Sequence, residues 1–225
     1  MASRSSPSLT PWTGKAQRED KIILAAFAAS GILPLALLPL VPALVSSHPA
    51  LLELIRGSTA SIVNMGARAR VSEASFVAAA LLAVPSLMMF DWAFWWAGRR
   101  WGERVFVWLL GGWGPRTDRR LGRLHRMEAR FGPAAVVVAY FLPLPTGLVY
   151  AAVGHGGMRL WVFLLLDTLG TLLWTTLLAL AGWELGQAAV DVADQIARYG
   201  LWVTIGLVVV ITVWRSLRSP LRPRP

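Results

Sequence analysis

Apolar residues dominate four stretches of the chain, 22–45, 71–97, 160–180 and 199–214, and polar segments separate them. A run of roughly 20 residues at 1.5 Å per residue crosses a hydrocarbon core of about 30 Å, so the pattern predicts four transmembrane helices. Pro34, Pro39 and Pro42 fall in the second half of the first run and should bend it. Two further stretches are of intermediate character. Residues 50–68 hold Glu53, Arg56, Gly57 and Asn64 among apolar neighbours, too polar for a lipid-facing span and too apolar for an ordinary loop. Residues 132–154, GPAAVVVAYFLPLPTGLVYAAVG, are apolar enough for hydrocarbon, yet Pro143 and Pro145 remove amide donors at the middle. A re-entrant helical hairpin satisfies both cases; for the second, the alternative is a proline-kinked spanning helix. Non-helical backbone at membrane depth is tolerated only where protein or trapped water satisfies it, so 143–147 is the first place to look for a site.

Charge orders these elements across the membrane. Residues 99–131 carry nine arginines against Glu103, Asp118 and Glu128, and the tail after Trp214 adds Arg215, Arg218, Arg222 and Arg224. Positively charged loops stay in the cytoplasm, which places this loop, the tail and the polar, disordered-looking residues 1–21 there, with both termini inside. The segment 183–198 carries Glu184, Asp191 and Asp194 against Arg198 and reads as external. Arg68 and Arg70 fall on the outer side, against the rule. Leu121, Leu124, Met127 and Phe131 recur at helical spacing opposite Arg119, Arg123, Arg126 and Arg130, as in an amphipathic helix on the inner leaflet; a solvated basic linker is the alternative.

Composition agrees with a membrane protein: 56% of the 225 residues are hydrophobic and 15% charged, with a mean hydropathy of +0.55. The net charge of +10 sits beside apolar spans rather than on a soluble basic face, which points to orientation and anionic lipid and away from nucleic acid. There is no cysteine, so disulfides and thiolate sites are excluded, and His48, His125 and His155 are too scattered for a metal site. No cofactor motif and no Gly-x-Ser-x-Gly, His-Glu-x-x-His or P-loop pattern supplies a catalytic set, so the expectation is a protein that is not an enzyme.

A weak repeat joins the halves. Gly57 precedes Gly66 by the same interval as Pro145 precedes Gly154, and each block leads to a span ending in Gly-x-x-x-Gly, Gly98 to Gly102 and Gly182 to Gly186. Glycines at that spacing let helices approach closely, and halves of opposite orientation are a recurring transporter design. The series Phe141-Leu-Pro143, Gly154, Met158, Phe163, Asp167-x-x-Gly170, Trp174 and Gly182-Trp-Glu-Leu-Gly186, with Asp91 and Gly98-Arg99-Arg100-Trp-Gly102, resembles the DedA or VTT-domain (SNARE-associated Golgi protein) membrane family over roughly 50–190. The resemblance implies two oppositely inserted re-entrant hairpins and lipid translocation, with polyprenyl phosphate carriers or phospholipid as cargo. At positions where the family has arginine stand Tyr140 and Thr146; Arg56-Gly57-Ser58 replaces a Pro-Gly-Glu, and Asp167 an asparagine.

The fold expected is an all-α polytopic membrane protein, four full transmembrane helices plus two re-entrant hairpins in an inverted repeat. The function expected is movement of a lipid headgroup between leaflets of an inner or plasma membrane, with a non-catalytic scaffold as the alternative and a lipid-modifying enzyme behind it. The binding set is Arg56, Gly57, Ser58, Tyr140, Pro143, Pro145, Thr146, Gly147 and Arg159, in which Arg56 attracts an anionic headgroup and Tyr140 and Thr146 add hydroxyls. Glu53, Asp91 and Asp167 are the proton-coupling candidates; an ion pair of Glu53 with Arg56 would give those two a structural role instead. Membrane lipid is the partner, and a second copy of the chain is an allowed one.

Overall fold

The computed structural model describes residues 10–12, 14–110, 119, 122, 126, 131–142, 145–196 and 198–199. The span expected over 199–214, the tail 215–225, most of the basic loop with its amphipathic helix, and Pro143 lie outside the described residues. Among the described residues the architecture is all-α. Three segments are long and apolar enough to cross a membrane: Arg18–Val45, Phe76–Trp101 and Leu160–Leu185.

The first runs as α1 (Arg18–Ala36), which stops two residues beyond Pro34; a 3₁₀ turn at Leu38–Leu40 and α2 (Val41–Ser47) follow, each with a proline in its first positions. Proline is at ease there because those amides have no helical partner. The helix begins inside the polar segment expected to be disordered, and ahead of it Trp12 packs on Trp101 with ring centroids 5.9 Å apart. Next come α3 (Pro49–Arg56) and α4 (Thr59–Arg70). Gly57 between them has φ +49°, and its Cα lies so close to Ser86 that a side chain would collide with the Ser86 hydroxyl; only glycine suits both conditions. The segment 49–70 is therefore a tight helical pair.

The second candidate span is built from three pieces, α5 (Phe76–Leu81), α6 (Val84–Met88) and α7 (Asp91–Trp101), with a turn before Asp91. After α8 (Arg104–Leu109), the chain returns through a 3₁₀ turn at Gly132–Ala134, the single turn α9 (Ala135–Val138) and a 3₁₀ turn at Ala139–Phe141. Leu142 and Pro145 are extended, and α10 (Thr146–His155) starts after them, so the helix is interrupted at these two positions. The third span is the unbroken α11 (Leu160–Leu185), and residues 187–196 are again helical.

Two close helix pairs form the core, and each joins an arm of one half to a span of the other. Helix α4 packs on α11: a Cβ on Gly66 would strike the Ala179 carbonyl oxygen, and one on Gly182 that of Val63. Helix α10 packs on α7 in the same manner, Gly154 against the Trp95 carbonyl and Gly98 against that of Ala151. On α11 the buried side is Phe163, Asp167, Gly170, Thr171, Thr175, Ala179 and Gly182, while Leu165, Leu169, Leu173, Leu177 and Leu180 are exposed. That division, polar and small inward and leucine outward, is what a helix with lipid on its outer side requires.

Candidate functional site

Two turns into α11 the carboxyl of Asp167 is fully buried, and its Oδ1 accepts a hydrogen bond of 3.1 Å from the Tyr140 hydroxyl. The same hydroxyl lies 2.6 Å from the Thr171 hydroxyl, one turn along α11. Tyr140 reaches this place because the chain is in a short 3₁₀ turn just before the break at Leu142–Pro145, and because Gly170 leaves room: a Cβ there would come within 2.9 Å of the Tyr140 ring. Asp91, the first residue of α7, faces Asp167 in electrostatic range, as does Tyr150 of α10. Among the described residues Oδ2 of Asp167 has no hydrogen-bond partner. A buried carboxylate oxygen left unbonded costs stability, so a proton or a ligand's donor group has a place to go.

Thus the structure gathers Asp91, Asp167 and Tyr140 from three separate segments. It also brings in Thr171 and Tyr150, which pattern reading did not single out. The missed signal was available: Asp167, Thr171 and Thr175 follow one another at four-residue intervals along a leucine-rich helix, which marks one face. Thr175 does not join the cluster, since its hydroxyl donates to the Ala80 carbonyl at 2.7 Å and ties α11 to α5.

A second polar group belongs to the α3–α4 pair. Glu53 is fully buried and neither carboxyl oxygen has a hydrogen-bond partner; the buried Nε of Arg56 has none either. The ion pair that would have given them a structural role is absent among the described residues. Ser86 of α6 donates instead to the backbone carbonyl of Glu53, at 3.3 Å. Ser58 caps α4, its hydroxyl accepting from the Ser61 amide at 3.2 Å and its own amide donating to the Ser61 hydroxyl at 2.9 Å, so its polar atoms serve the helix start. In the other break, Pro145 is exposed and caps α10, Thr146 is half-buried, and Gly147 approaches the Phe94 ring so closely that a Cβ would come within 2.6 Å. Arg159 is exposed at the start of α11, two turns before Asp167.

Three apolar helices of spanning length around buried carboxyls define the class as a polytopic helical membrane protein. The family model described as the VTT domain matches residues 72–184, half of the chain, and the protein belongs to that family. Neither the curated proteins nor the solved structures compared with it give a match.

Proposed function

We propose that the protein moves the headgroup of a membrane lipid, polyprenyl phosphate or phospholipid, between leaflets of an inner or plasma membrane, without chemical change of the lipid. The observation that carries this reading is the cluster of the buried Asp167 and Thr171 with the half-buried Asp91 and Tyr140, beside two helix breaks. Polar groups inside a membrane bundle are expensive and mark pathways, and interrupted helices place them in transporters. On this reading 50–68 and 132–154 are re-entrant hairpins. Support for an inverted repeat comes from the glycine contacts: in both close pairs the contacting positions are three residues apart on each helix, Val63 and Gly66 with Ala179 and Gly182, Ala151 and Gly154 with Trp95 and Gly98. Arg56, with an unused donor, draws the anionic headgroup to the first hairpin, and Tyr140, Thr146 and Arg159 add donors around the second. Asp91, Asp167 and Glu53 exchange the coupling proton. The arginine count keeps both termini inside.

The test is purified protein in liposomes with a labelled lipid whose transfer between leaflets is followed. The wild type should transfer it, and Asp167→Asn should lower the rate by about tenfold or more, as loss of a charge-assisted interaction does. A folded wild type with no transfer of either lipid class would leave a non-catalytic scaffold as the better reading.

A further inference from the structure

Away from the carboxyl cluster, at the end of the molecule where α1 begins and α7 stops, a cavity of about 310 Å³ is lined in part by Pro11, Trp12, Lys15 and Gln17. Its wall has one acid, Asp20, and that acid is fully used. Oδ1 accepts from Arg100 Nε at 2.6 Å and from the Trp101 indole at 2.9 Å, and Oδ2 from the Gln17 amide at 2.8 Å. Arg100 is used as fully, since its remaining nitrogens donate to Glu19 and to the Gln17 side chain. This network and the packing of Trp12 on Trp101 fix the shape of the cavity. Lys15 and Arg104 also line it, both exposed and, among the described residues, neither in an ion pair or hydrogen bond. Among the described residues the pocket is therefore a built polar recess with two uncommitted cations and one neutralised carboxylate.

We infer that this recess binds a phosphate-bearing anion, the headgroup of an anionic lipid in the adjoining leaflet or a free phosphate. Its place at the ends of two apolar segments of spanning length puts it at headgroup depth. Lys15 offers an ammonium and Arg104 a planar fork of donors, a pair suited to a phosphate's several acceptor oxygens. The indoles of Trp12 and Trp101 border the cavity, the amphipathic lining usual at the membrane interface. A diffuse attraction of basic residues to anionic lipid is general; here the two cations share one shaped cavity, so the binding is local and saturable.

Native mass spectrometry of the full chain in detergent tests this with dihexanoyl phosphatidylglycerol, dihexanoyl phosphatidylcholine and inorganic phosphate as probes. The wild type should retain one phosphatidylglycerol in preference to phosphatidylcholine. Lys15→Gln with Arg104→Gln should weaken retention by about tenfold or more, through loss of two charge-assisted contacts, and Lys15→Gln alone, at an exposed position, by a smaller factor. Lys15→Arg with Arg104→Lys should retain it. A control removing two charges from outside the cavity, Arg18→Gln with Lys21→Gln, should bind as the wild type does. Displacement of the lipid by inorganic phosphate would assign the site to phosphate itself, and failure of phosphate to displace it would assign the site to the whole headgroup. No preference for the anionic lipid, no weakening in Lys15→Gln with Arg104→Gln, or equal weakening in the control would overturn the inference.

Discussion

Among the individual residues, Glu53 is the one whose burial has the least local justification: no solvent reaches it and neither carboxyl oxygen is bonded. A group that lowers the stability of its surroundings persists where it has another use. Glu53→Leu, of similar volume, should raise the unfolding temperature in detergent, with a gain of about 1–3 kcal/mol from removing the unbonded group, while transfer of labelled lipid in liposomes is lost. A variant that unfolds more easily would show that Glu53 holds the hairpin together. Residue identity was legible here only in part. That Glu53, Asp91 and Asp167 are unusual follows from charges standing in apolar runs, but Asp91 and Asp167 lie far apart in the chain, and nothing in either run says that one faces the other. Likewise the ion pair suggested by the spacing of Glu53 and Arg56 fails because helical spacing permits a contact without choosing rotamers, and Arg56 is the last residue of α3, where the chain turns at Gly57.

For helices, the decisive feature is how closely two pairs of them approach. At Gly66, Gly98, Gly154 and Gly182 a methyl group would meet a backbone carbonyl of the partner helix, which cannot move aside as a side chain can. Gly98→Ala or Gly182→Ala should therefore destabilise the fold by about 1–3 kcal/mol each, the usual effect of overpacking. Gly31→Ala has open space around it and should be neutral or, from helix propensity, stabilising by up to about 1 kcal/mol. Unfolding temperatures of the three variants in one detergent check this; equal effects would mean that propensity rather than contact governs. The elements themselves were largely legible, because the length of an apolar run and the position of a proline act locally: the three spans, the stop after Pro34 and the break near Pro145 all follow from such rules. Of each Gly-x-x-x-Gly pair only the first glycine, Gly98 or Gly182, makes the close contact, while Gly102 and Gly186 end their helices at φ +57° and +52°. Which helix each face meets was not legible, since any close-packed partner satisfies that pattern. The buried Arg68 was similarly opaque: it reads as a violation of the charge rule, whereas in the fold it bonds Glu73 at 2.7 Å and Asp194 at 2.9 Å, its charge answered by two acids.

On the scale of the molecule, the contact pattern means that two helices are each held by an arm from the other half: α4 grips α11, and α10 grips α7. Neither half buries its own small-residue face. Coexpressed segments 1–120 and 121–225, divided in the arginine-rich loop, should accordingly associate and copurify through a tag on one of them, whereas either alone should be degraded. A first segment that purifies alone as a stable monomer would contradict this. The exchange also has a bearing on how the protein is made. A ribosome delivers Gly66 well over a hundred residues before Gly182, and during that interval α4 has no finished neighbour for its close-contact face. Insertion in order of synthesis thus leaves an intermediate whose bare glycine face must be shielded by lipid or by the insertion machinery until the last helix of the pair arrives.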